Sequence, residues 1–196
     1  MTGASFDCPP PDPNPRPARF TPPPGAVDCH CHVFGPLYRF PYWPERSYTP
    51  PEAPLADYKA MLAALGLQRS VMVQPSVYGF DNAASLDAMA AIDGDMHGVM
   101  VVEADVSDAE LQRMHALGAR GVRFNVDLKG GVSMDGLEAM AARLAPMGWH
   151  IQVFASPESF LAAADRLERL ACPVVIDHMG HVPTSRGVND AAFQRV

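Results

Sequence analysis

A chain of 196 residues with 48% hydrophobic and 19% charged positions has enough apolar material for a buried core, which excludes a disordered or fibrous protein. Its formal charge of -7 argues against nucleic-acid binding, which rests on Lys and Arg meeting phosphate, and no apolar run reaches the ~20 residues of a membrane-spanning helix. The opening residues lack the basic cluster and apolar stretch of a secretory signal, so a cytoplasmic location is expected, with Cys8, Cys29, Cys31 and Cys172 as reduced thiols.

Fifteen of the 20 prolines lie at or before Pro54. Runs such as Pro9-Pro10-Pro11 and Pro22-Pro23-Pro24 cannot build helix or central strand, so residues 1–25 are expected to form an extended arm. Residues 26–196 follow as one partial barrel domain. A first strand is expected over Val27–Phe34. Residues 35–54 then form a long loop carrying Tyr38, Phe40, Tyr42, Trp43 and Tyr48, more rings than a solvated linker tolerates, so the loop should pack as a lid or shelf.

Apolar runs then alternate with amphipathic stretches. Strands are expected at Ser70–Pro75, Gly98–Val102, Gly121–Val126, His150–Phe154 and Val174–His178, and helices at Leu55–Leu67, Ala83–Ile92, Asp108–Leu117, Gly136–Met147 and Glu158–Leu170. Asn82, Ser107 and Asp135 stand at N-cap positions, and Gly66, Gly94 or Gly118 near helix ends. The alternation predicts a parallel sheet. The first strand ends in histidines instead of a Gly-rich phosphate loop, which points to an α/β fold of the (β/α)8 TIM-barrel type. Six strands consume the chain to His178, so the expectation is a barrel truncated after the sixth strand, lacking its last two strand–helix units.

The sharpest chemical signal is Asp28-Cys29-His30-Cys31-His32. Strand alternation would place Asp28, His30 and His32 on one face and the two cysteines on the other, so a Cys2His2 zinc knot is not expected. Two imidazoles near the strand's C-terminal end can bind metal, polarise a carbonyl or move protons. Asp28 would orient an imidazole or form a buried salt link at the barrel floor. His178 ends the last strand, where it would join the pair across the mouth, with Asp177 on the opposite parity in a structural role. Arg123 and Asn125 share a face, and the guanidinium seeks a substrate carboxylate or an internal acid. Ser76 is a ligand donor or a turn hydroxyl, and Tyr48 reaches in from the aromatic loop. No lysine lies in the fourth strand to bridge two metals; Lys129 is beyond it, in a Gly-rich loop. His97, His115 and His150 belong to no constellation, and no nucleophile elbow is present.

The runs PPPGAVDCHCHVFGP, RSYTP, SVMVQPSVYGFDNAA, ARGVRFN, MGWH and VVIDHMG, in this order, resemble the amidohydrolase-related barrel family, and within it the members that open lactones. The resemblance implies a distorted (β/α)8 barrel that hydrolyses a cyclic ester with no required metal. His30, His32 and His178 would polarise the carbonyl and stabilise the oxyanion, and Tyr48, Ser76 and Arg123 would contact a small-molecule lactone or carboxylate. The family's water-activating aspartate ends an eighth strand that these residues do not include. Members that bind a dicarboxylate carry an arginine-bearing loop where this chain has Asp127–Gly131, a tyrosine at Phe154 and an arginine at His181, so a ligand with one carboxylate is expected here. The alternatives are a zinc-dependent hydrolase or decarboxylase with His30, His32 and His178 as ligands, a sugar-lactone isomerase, or an inactive fragment.

Overall fold

Short β-branched runs alternate with helices along the chain, and the strands pair in sequence order. The computed structural model describes residues 8–92, 95–128 and 132–196. Its strands are β1 (Val27–Cys31), β2 (Arg69–Val73), β3 (Asp95–Met100), β4 (Ala119–Asn125), β5 (His150–Phe154) and β6 (Val174–Ile176), all parallel and ordered β1-β2-β3-β4-β5-β6. The helices are α1 (Leu55–Leu65), α2 (Ala83–Ala91), α3 (Asp108–Ala116), α4 (Leu137–Leu144) and α5 (Pro157–Leu167). This is the sequential β/α architecture expected of a (β/α)8 barrel, represented by six strands.

The sheet is strongly curled. Five strand spacings of about 4.8 Å would hold β1 and β6 roughly 24 Å apart in a flat sheet. Instead, the ring centroids of His30, on β1, and His178, just after β6, are 5.0 Å apart.

The outer face carries the main core. Met72, Met100, Val122, Phe124, Ile151 and Val153 pack against Leu62, Leu111, Met114, Leu137, Leu144 and Phe160 of the helices. Trp149, fully buried, donates its indole N–H to His115 Nδ1 at 2.8 Å and stacks on that ring. On the inner face His150 lies over Gly121, where an added Cβ would meet the imidazole at 2.7 Å. Gly121→Ala is therefore expected to cost about 1–3 kcal/mol through overpacking, read from the midpoint of urea unfolding.

Capping follows the sequence at some ends only. Ser107 accepts the Glu110 N–H at 3.1 Å, and Gly66 closes α1 at φ 73°. Asn82 does not cap α2; its side chain binds the backbone N–H and C=O of Val101, tying the helix start to the segment after β3. Asp135 does not cap α4 either, because Ser133 opens a 3-10 turn, Met134–Gly136, ahead of it. Gly94 and Lys129 lie outside the described residues.

Residues 8–25 contain no helix or strand. The aromatic loop packs as expected: Phe40 joins Val77, Tyr78 and Ala84 in a second cluster flanked by Phe34, Tyr42 and Tyr48, and Trp43 N–H donates to Val77 O at 2.7 Å. Tyr38, 91% exposed, is the exception. No helix among the described residues is long and apolar enough to cross a membrane.

Candidate active site

The site begins with a break in β1. Val27 and Asp28 pair with Arg69 and Ser70, but Cys31 pairs with Met72, so one extra residue is accommodated between Asp28 and Cys31. That irregularity corrects the expected alternation. Asp28 turns to the helix layer, accepting from the Tyr58 hydroxyl of α1 at 3.0 Å and from the His30 backbone N–H at 3.2 Å, and it binds no imidazole. Cys31 also faces the helices, while Cys29, expected beside it, is exposed.

The two thiols should therefore behave differently. Burial pushes Cys31 up to about 12, and its Sγ donates to Val71 O at 3.4 Å. Alkylation at pH 8 is expected to label Cys29 orders of magnitude faster than Cys31, which should react only after denaturation; peptide mass spectrometry distinguishes them.

His30 and His32 remain on the inner face, edge to face with centroids 5.0 Å apart. His32 Nδ1 is 2.7 Å from Val73 O, and because a carbonyl only accepts, that nitrogen carries the proton. Burial holds the His32 ring at about 4, and burial also lowers His30, more than the nearby Asp177 carboxylate raises it. His30 Nε2 is buried without a hydrogen-bond partner.

The opposite rim holds a second correction. β6 ends at Ile176, and Asp177 continues its inward alternation, so it is buried in the interior instead of facing away from the site. Arg123 Nε and Nη2 donate to Asp177 Oδ2 at 2.9 and 2.6 Å, and Gln152 Nε2 donates to Oδ1 at 2.5 Å. His30 Nδ1 is 3.5 Å from both Oδ1 and Gln152 Nε2. Of the two partners considered for Arg123, the structure supplies the internal acid.

His178 arrives by another route. It takes φ 49° and Met179 φ 54°, left-handed values rare for non-glycine residues, and this turn swings the ring back towards His30. His181, also left-handed, lies 4.9 Å from His178 and 4.3 Å from the Phe154 ring, centroid to centroid. Burial lowers its imidazole. Tyr48 packs against the Phe40, Val77 and Tyr78 cluster, beside the 3-10 turn that Ser76 opens, and burial raises its hydroxyl. The structure thus brings His30, His32 and His178 together with Arg123 behind them.

One nitrogen each of His30 and His178 and one Asp177 oxygen lie within 4.8 Å of one another, a set able to hold a metal ion by distance. His32, expected among such ligands, is not in that set.

Residues 27–196 match the family described as amidohydrolase. The chain belongs to that family. It is 42% identical over 182 residues to the 2-pyrone-4,6-dicarboxylate hydrolase of Comamonas testosteroni, covering 92% of this chain and 60% of that protein. It is 36% identical over 181 residues to the 4-sulfomuconolactone hydrolase of Rhizobium radiobacter, covering 91% and 60%. A crystal structure of a probable 2-pyrone-4,6-dicarboxylic acid hydrolase from Acinetobacter baumannii, with citric acid bound, matches at TM-score 0.76 and 26% identity, over 86% of this chain and 64% of that one. The chain spans about 60% of the length of these curated relatives.

Two residues of this amidohydrolase site escaped the sequence reading. Asp177 was assigned to the wrong face. Gln152 carried a usable signal: a lone amide in the middle of the apolar strand His150–Phe154 has to be buried with a partner.

Proposed function

We propose that this chain provides the carbonyl-activating histidines of a hydrolase that opens a small lactone by attack of water. The observation that carries the reading is the meeting of His30, His32 and His178 at one rim of a curled parallel sheet, the end where barrel active sites lie. In this reading His30 Nδ1 accepts the second amide hydrogen of Gln152, 3.5 Å away, in preference to donating to Asp177 Oδ1 at the same distance. With Nδ1 accepting, the single proton of neutral His30 sits on Nε2, its unpartnered atom. That N–H polarises the lactone carbonyl and meets the oxyanion, with His178 as the second donor.

His32 takes a different part from the one expected of it. A neutral ring whose proton faces Val73 presents a lone pair at Nε2, so it accepts from the attacking water and orients it. Tyr48 and Ser76 contact the substrate's polar groups, and Arg123 holds Asp177 beneath His30. Because Asp177 neutralises that guanidinium, a substrate with at most one carboxylate suits the site better than a dicarboxylate. A small-molecule substrate in a reducing cytoplasm fits Cys29, Cys31 and Cys172, which form no disulfide.

The donor set suits a metal poorly. Both Asp177 oxygens are engaged, and Arg123 places a fixed positive charge on the carboxylate a cation would need. No step runs through a metal in this reading. The test is a panel of lactones and simple esters, assayed with and without chelator alongside metal analysis of the purified protein. Lactone turnover unchanged by chelator is expected. Stoichiometric metal whose removal abolishes turnover would establish the metal-dependent alternative, and no turnover of any lactone would overturn the reading.

A further inference from the structure

Four of the amide side chains in this chain are buried: Gln74, Asn82, Asn125 and Gln152. Three are wired into the protein. Gln74 donates to Asp81 O and accepts from the Ser85 hydroxyl, Asn82 binds both backbone groups of Val101, and Gln152 donates to Asp177. Asn125 is different. It is 0% exposed, and neither Oδ1 nor Nδ2 has a hydrogen-bond partner. A buried amide unpaired at both ends is rare because it forfeits its hydration without replacement.

Its position gives the orphaned amide a purpose. Val122 and Phe124 enter the helix-facing core, so Arg123 and Asn125 share the inward face of β4. Asn125 is the last residue of that strand and pairs in register with Phe154, the last of β5. The Phe154 ring in turn lies 6.0 Å from His178 and 4.3 Å from His181, so the amide stands at the end of the sheet where the imidazoles gather.

We infer that Asn125 is a specificity residue whose amide recognises a hydroxyl group on the lactone. The inference rests on the lactone reading above and extends it to the substrate class. A carboxylate only accepts, so it would satisfy Nδ2 and leave Oδ1 orphaned. An alkyl substituent would satisfy neither. A hydroxyl both donates and accepts, matching the two ends together. The amide is closed from solvent, so a ligand reaches it only if a neighbour such as the half-buried Phe154, in register on β5, moves aside.

The test compares D-glucono-δ-lactone with δ-valerolactone, the same ring without hydroxyls, on the wild type and on Asn125→Leu and Asn125→Asp. It separates kcat from KM and records thermal midpoints with and without each lactone. Expected is a wild-type preference of about 100-fold or more in kcat/KM for the hydroxylated ring. Both variants should shrink it at least about tenfold through KM, and Asn125→Leu should melt no lower than wild type, because it removes an unpaired buried group. An Asn125→Leu protein that melts well below wild type and keeps the preference overturns the inference, since the amide then serves a buried water. Equal wild-type turnover of both lactones also overturns it, leaving the lactone reading intact. Absence of turnover, with a midpoint raised by the hydroxylated lactone in wild type but not in Asn125→Leu, sinks the lactone reading instead. Neither turnover nor a midpoint shift sinks both.

Discussion

Replacing Asp177 with alanine is expected to cost about 3–5 kcal/mol of folding stability, the largest loss available from one side chain in the site. Asp177 and Arg123 are 3% and 4% exposed, so neither charge has water to fall back on. The carboxylate accepts two guanidinium N–H bonds on Oδ2 and the Gln152 amide on Oδ1. Without it, a buried cation and an amide donor are stranded together. Removing both charges, as in Arg123→Met with Asp177→Leu, should cost less than the single change, because no unpaired ion remains. Urea unfolding of the two single variants and the double variant measures the coupling. A loss below about 1 kcal/mol for Asp177→Ala would show the pair to be solvated and would remove its claim to hold His30.

The second large effect concerns rate. His178→Ala should lower kcat/KM for lactone opening by about 10²–10³, the usual cost of one oxyanion donor. Because the side chain is exposed, stability should move by no more than about 0.5 kcal/mol. His178→Gly sharpens the contrast. The residue sits at φ 49°, ψ 39°, where a side chain carries strain, so glycine should fold at least as well and be equally inactive. Wild-type turnover in either variant would remove His178 from the reaction.

Much of the fold was legible because burial writes a period into sequence. β5 lies over His150–Phe154 as expected from an apolar run between turn residues, and β2, β3 and β4 differ from expectation by a few residues at their ends. The misplacements have local causes. An inserted residue in β1 carries no compositional mark, and it moved Asp28 out of phase with His30. β6 stops at Ile176, two residues early, and a left-handed turn through residues with ordinary side chains follows it. Alternation opposed Asp177 to His178, but His178 lies beyond the strand, and the left-handed turn brings its ring to the same side as Asp177. Tertiary constraint imposed that turn against local preference, so no local rule would have found it.

Joining the two extremes of the sheet has a kinetic consequence. Gln152 and His30 touch across 122 positions of sequence, and the imidazole cluster exists only once the first and sixth strands are brought round to each other. Such distant closures are late steps in folding, since the intervening loop must lose its entropy before they return anything. The reactive geometry should therefore mature after most helical signal has appeared in a refolding experiment. On warming, the two rims should part while the helices still give their full circular-dichroism signal.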